Sequence, residues 1–179
     1  EACRYPIVRD RLAGYADALA EAGMALDAVT IVECENTRAS AARGMEIALE
    51  HAPDLTAVIA MSDIVAMGAL ATLRARGLAV PRDVSVVGFD DVDEAERTEP
   101  PLTTVRQPLS EKGRWAAQFL FDDGIRSLVL PTELVVRAST APPRALTVGH
   151  GSGGAVKKPG RGRGSRRKTA ARPRAAPRG

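Results

Sequence analysis

Cysteine and histidine are both scarce, with two of each in 179 residues. Cys3 and Cys34 suggest no disulfide framework, and a domain of this size needs no staple. His51 and His150 lie far apart, and no His or Cys pair has metal-ligand spacing. GxSxG, HExxH and phosphate-loop signatures are missing, and no nucleophile–base or acid pair stands out. An enzyme therefore finds no support, and neither a metal nor a cofactor is expected. No run of about 18 apolar residues exists, which argues against a membrane span. A charged, then apolar, then small-residue start of the secretory kind is also missing. The chain opens on Glu1 rather than Met, so a fragment with an unseen upstream part is expected.

Acid is absent from the last stretch. Residues 1–149 carry 15 Lys+Arg against 22 Asp+Glu, a net −7, whereas residues 150–179 carry 10 Lys+Arg and no acid, a net +10. An acidic globular part is thus joined to a basic tail. From Ala141 onward Pro, Gly, Ala and Arg dominate, and 144–179 is expected to be disordered. Lys157, Lys158, Arg161, Arg163, Arg166, Arg167 and Lys168, spaced by Gly and Pro, can lie along phosphates with strongly salt-dependent affinity. No aromatic residue is interleaved, so base stacking is not offered. A solubilising low-complexity tail is the competing reading, and composition does not separate the two.

What is present is an alternation of periods. Val8 to Ala22 places Leu12, Tyr15, Ala16, Leu19 and Ala22 on one helical face, with Gly23 set to end it. Ala28 to Val32 is short and β-branched and reads as a strand. A helix over Ser40 to His51 follows, then Ala57 to Met61, apolar throughout as in a strand buried on both faces. Ser62 can cap a helix running to about Arg76, with Asp63 adding favourable charge to its first turn. Val84 to Phe89 is another buried strand. Asp91 to Pro101 reads as a loop, Thr103 to Arg106 as a short strand, and Glu133 to Arg137 as a last strand. Between them Ser110 to Phe121 is amphipathic, with Trp115, Ala116, Phe119 and Leu120 expected inward. Helices alternating with buried strands imply an α/β fold with a parallel sheet covered on both faces.

In such a sheet ligands bind beyond the carboxyl ends of the strands. Three loops qualify: Glu33 to Arg38, Ser62-Asp63, and Asp90-Asp91. A carboxylate at Asp90 could accept hydrogen bonds from two ligand hydroxyls or a ring N–H, or could merely cap local backbone N–H groups. Ser62 could serve a ligand at a helix N-terminus, or act as an N-cap and nothing more. Arg11 offers a planar fork for hydroxyls or a carboxylate, or belongs to a solvated helix face with Arg9 and Asp10.

At this point the segments resemble a known family. Ser62-Asp63-Ile64-Val65-Ala66-Met67-Gly68-Ala69-Leu70 resembles the NDxxAlGal segment of LacI/GalR-type transcriptional regulators. Residues 77–91, GLAVPRDVSVVGFDD, resemble that family's run into its aspartate turn; PPLTTVRQP at 100–108, LPTELVVRAST at 130–140 and RLAGY at 11–15 are similar to further segments, so the likeness spans about residues 4–143. The resemblance implies a type I periplasmic-binding-protein-like fold of two α/β lobes closing on a small polar effector, either a sugar or a nucleobase-like molecule. It implies an effector-binding domain over 1–143, with 100–124 belonging to the other lobe. Arg11 and Asp90 match the family's effector-contacting arginine and aspartate. Ser62 stands where Asn is usual, and Asn36 where an aromatic often stacks, so both are expected to line the site. Further implications are a homodimer, a cytoplasmic location, and operator DNA read through a helix-turn-helix outside this chain. A chain lacking the rest of the cleft is then expected to bind effector poorly and no operator specifically. A solute-binding protein of an ABC transporter has the same fold and is the alternative.

Overall fold

A computed structural model describes residues 5–121 and 127–144. The tail cations from Lys157 to Lys168 lie outside the described residues.

The first helix, α1 (Pro6–Glu21), begins with Pro at its first turn, where the missing N–H costs nothing. None of its residues is buried. The strand expected over Ala28 to Val32 does not form. Leu26–Ala28 is a single 3-10 turn, and Val29 continues in extended backbone with no ladder assigned. Val29 and Ile31 stay exposed, and only Val32 is half-buried, near Gly44. β-branched residues favour extended backbone, but pairing also needs a partner edge in register.

Helix α2 (Arg38–His51) is capped by Thr37, whose hydroxyl accepts from the Ser40 N–H at 3.1 Å. Strand β1 (Ala57–Ile59) is shorter than expected and not buried on both faces. It is the sheet edge, and Ala57 and Ile59 are exposed. Helix α3 (Asp63–Ala75) packs along α2, and Gly68 permits the approach, since a Cβ there would lie 2.5 Å from the Arg38 carbonyl oxygen.

Strand β2 (Ser85–Asp90) pairs in parallel with β1, Val58 opposite Val86. A four-residue helix, α4 (Asp93–Glu96), interrupts the expected loop and buries Ala95. Strand β3 (Thr103–Arg106) then pairs in parallel with β2, Asp90 opposite Arg106. Strand β4 (Glu133–Val135) pairs with β3 in the antiparallel sense, so the sheet is mixed, in the order β1-β2-β3-β4. Within the stretch 100–124 expected to belong to another lobe, β3 is hydrogen-bonded to β2 and β4 and is part of this sheet.

The core gathers Met45 of α2, Ala66, Ala69, Leu70 and Leu73 of α3, Val84 and Val86 at β2, and Leu102 before β3. Ser139 ties the return strand to it, its hydroxyl donating to the Val86 carbonyl at 2.6 Å and accepting from the Thr103 N–H at 2.7 Å. Helix α5 (Leu109–Phe119) contradicts its expected packing. It has no buried residue, Trp115 and Phe119 are only half-buried, and Leu120 just beyond it is 82% exposed. Periodicity marks an apolar face but does not supply what covers it.

Candidate functional site

The carboxyl ends of β1 and β2 collect four side chains from separate parts of the chain. Arg11, one turn into α1, donates from Nη1 to the Met61 carbonyl oxygen at 2.6 Å. Its guanidinium carbon sits 3.5 Å from the centroid of the Phe89 ring, a cation–π arrangement. Met61 immediately precedes Ser62, and Phe89 immediately precedes Asp90. Arg11 is therefore anchored on the ends of both strands.

Ser62 does both things its position allowed. Its Oγ accepts from the Val65 N–H at 3.2 Å, which caps α3. The same hydroxyl donates to Asn36 Oδ1 at 2.5 Å. That bond holds Asn36 against the start of α3.

Asp63 does more than the expected favourable charge at a first turn. Its carboxylate is fully buried and accepts from the Val92 N–H at 2.9 Å and the Thr104 hydroxyl at 2.5 Å. A side chain at position 88 would overlap its Oδ1, which is why β2 carries Gly88 there. Asp63 thus fastens α3 to β3 and to the loop after β2.

Asp90 and Asp91 both adopt positive φ, 121° and 59°. Asp91 lies in the left-handed region that Asp tolerates and Asp90 lies beyond it, and the turn aims the two carboxylates at different partners. Asp90 Oδ1 accepts from Gln107 Nε2 at 2.6 Å. Partial burial pushes the Asp90 carboxyl above the usual carboxylate range and nearby Asp63 adds to this, against the Gln107 hydrogen bond and the charges of Arg11 and Lys112. Asp91 faces away, to Arg106 Nε at 2.6 Å and Arg137 Nη2 at 2.7 Å. Burial alone would raise the Asp91 carboxyl, but hydrogen bonds from the two guanidiniums bring it below its ordinary value. Arg137 also donates to the Leu102 carbonyl at 2.8 Å, so Asp91 is a structural anchor for the return strand.

Ser62 and Asp90 thus follow β1 and β2 directly, as the strand-end rule expected, whereas Asn36 reaches the same rim through Ser62 although the strand expected before it does not form, and Arg11 reaches it from α1 through Met61 and Phe89. Sequence reasoning missed Phe89 beneath Arg11, and Gln107 with Lys112 beside Asp90. The signal for Gln107 was available. Thr103 to Arg106 read as a strand, and in a parallel sheet the residues after it emerge at the same rim as those after β2. The arrangement offers a fixed guanidinium, a carboxylate, a hydroxyl and amides, a set suited to a small hydroxylated or nitrogen-bearing molecule. Among the described residues no cluster of three metal-ligating side chains occurs, and no helix is long and apolar enough to cross a membrane.

Comparison with known proteins bears on the family and the fold. A family model described as a periplasmic binding protein-like domain matches residues 3–140. The HTH-type transcriptional regulator CelR of Thermobifida fusca is 44% identical over 137 residues, covering 73% of this chain and 40% of the regulator. A solved transcriptional regulator CelR–cellobiose complex superposes with a TM-score of 0.68 at 44% identity, covering 72% of this chain and 41% of that one. A LacI family transcriptional regulator from Enterococcus faecium, with bound ribose, gives a TM-score of 0.72 at 28% identity, covering 76% and 53%.

Proposed function

The chain belongs to the family of periplasmic binding protein-like domains, in the form carried by LacI-type transcriptional regulators, and from that premise we propose that it senses a small polar effector for such a regulator. It spans 40% of the length of the CelR relative, so DNA reading is assigned to a part of the regulator outside this chain. The observation that carries the reading is the anchoring of Arg11 on Met61 and Phe89, which sets its guanidinium beside Asp90 at the strand ends. Arg11 and Asp90 grip hydroxyls of the effector, with Ser62 and Asn36 alongside. Sugars are favoured over nucleobase-like ligands because the two similar solved structures are complexes with cellobiose and with ribose.

Effector binding closes a second lobe over this rim, and the segment after Arg106, including α5, belongs to that lobe. Closure shifts a two-state equilibrium and so changes operator affinity. The regulator works as a homodimer in the cytoplasm. The relative named above is a regulator, which favours this reading over transport. The basic tail adds salt-dependent phosphate contacts, and deleting residues 150–179 should weaken DNA retention at low salt.

Amide chemical-shift mapping of the full chain with millimolar cellobiose and ribose tests the assignment. Shifts should appear at Arg11, Asn36, Ser62 and Asp90 and vanish in Arg11→Met and Asp90→Asn. Shifts mapping to another face, or no response to either sugar, would overturn it.

A further inference from the structure

Asp90 is held from behind by two residues, and their chemistry permits one arrangement. Gln107 Nε2 donates to Asp90 Oδ1 at 2.6 Å, and Lys112 Nζ donates to Gln107 Oε1 at 2.7 Å. An ammonium can only donate and a carboxylate can only accept. A glutamine amide between them satisfies both in one orientation alone. Flipped, it would set its NH2 against the ammonium and its oxygen against the carboxylate. No hydrogen bond from the described residues reaches Asp90 Oδ2.

The backbone places these groups together. Asp90 lies opposite Arg106 in the parallel ladder, which brings Gln107 alongside it. The Leu109 N–H returns to the Gln107 carbonyl at 2.8 Å, and the Lys112 N–H to Pro108 at 2.9 Å. That first turn of α5 swings Lys112 over Gln107. The groups facing Asp90 are Arg11 from α1, Asp63 from α3, Gln107 beyond β3 and Lys112 from α5.

We infer that Lys112 is a positioning residue for Asp90: it locks the Gln107 amide so that Asp90 Oδ1 is occupied and Oδ2 is the acceptor presented to an effector hydroxyl. This rests on the small-effector reading for its purpose, although not for its test. A ligand reaching Asp90 must then bring a hydrogen-bond donor, since the facing oxygen only accepts.

Carboxyl carbon NMR titration of Asp90 in the full 179-residue chain tests the lock, with no ligand present. Lys112→Met should raise the Asp90 midpoint by about half a pH unit or more, because the released amide can turn and accept from the protonated carboxyl, which favours the neutral form, and because a nearby positive charge is lost. It should also move the Gln107 side-chain NH2 resonances. Lys112→Arg should restore both. In a Gln107→Leu background the further change to Lys112→Met should have a clearly smaller effect, because the intermediary is gone and only the through-space charge of Lys112 on Asp90 is left to lose. If the effect persists undiminished there, Lys112 acts on Asp90 only as a nearby charge and the inference fails. It fails equally if Lys112→Met leaves the midpoint and the Gln107 signals unmoved, or if Arg does not restore them. Lys112 makes its contact at an exposed site, so thermal melts of its single variants should overlay the wild type. A missing response to cellobiose or ribose would sink the effector reading and leave this titration untouched.

Discussion

Helices α3 and α5 are close in length, 13 and 11 residues, and both carry apolar faces, yet eight residues of α3 are buried and none of α5. The difference lies in what each meets. Helix α3 presents Ala66, Gly68 and Ala69 beside Leu70 and Leu73, and these small residues let α2 and β2 come close. Helix α5 gathers Trp115 and Phe119, with Leu120 beyond, on one side, and nothing among the described residues buries them. The molecule therefore has a packed half, α2–α3–β2–β3, and a thin half, α1 and α5. The packed half fixes Ser62 and Asp90. The thin half delivers Arg11 and Lys112 to the same rim. A binding site assembled from both halves can change geometry without unfolding the core.

The largest test sets the two helices against each other. Leu73→Ala removes a fully buried side chain and should cost about 3 kcal/mol in urea unfolding. Leu120→Ala, at a residue 82% exposed, should change stability by less than about 0.5 kcal/mol. Comparable losses at both positions would mean that α5 packs in solution and that the division is wrong.

A smaller loss is expected where the return strand is fastened. Arg137→Met breaks bonds to the Leu102 carbonyl and to Asp91 and should cost about 2 kcal/mol. The acids of that turn carry a pH signature of opposite signs. Asp91 titrates below its unfolded value, so its stabilisation is full above the ordinary carboxylate range and is lost as pH falls through the folded value. Asp90 titrates above its unfolded value, so its contribution is full at low pH and is lost as pH rises through the folded value. Urea midpoints against pH should then show Asp91→Asn most harmful at neutral pH and less so in acid. Asp90→Asn should be neutral or stabilising at neutral pH. Parallel curves for the two variants would contradict the distinct roles given to the two residues.

Much of the packed half was legible in the sequence, and the reasons are local. Ser62 before an apolar period announced α3 by its capping chemistry, and Val84 to Phe89 announced β2 by an apolar run too short for a helix. Convergence of Arg11, Ser62 and Asp90 followed from the strand-end rule together with the family likeness. Outside the packed half α1 was legible, but two other readings failed because their signals were incomplete. Val29 to Val32 had the residues of a strand without a paired neighbour, and Trp115 to Leu120 had a face without a cover. The roles of Asp63 and Asp91 escaped because each depends on a partner 15 to 46 residues away. No period in the sequence encodes such pairings.

The smallest effect separates the two roles of Ser62, at the seam between the halves. Its hydroxyl accepts from the Val65 N–H and donates to Asn36, so Ser62→Ala should cost about 1 kcal/mol through the lost cap. Asn caps helices as well as Ser does, so Ser62→Asn should keep that stability. Its longer side chain would nonetheless displace Asn36 and change the donors at the rim. Equal stability with altered sugar response in Ser62→Asn would place Ser62 in the site as well as in the fold. Equal stability with unaltered response would reduce it to a helix cap, leaving Arg11 and Asp90 to carry recognition alone.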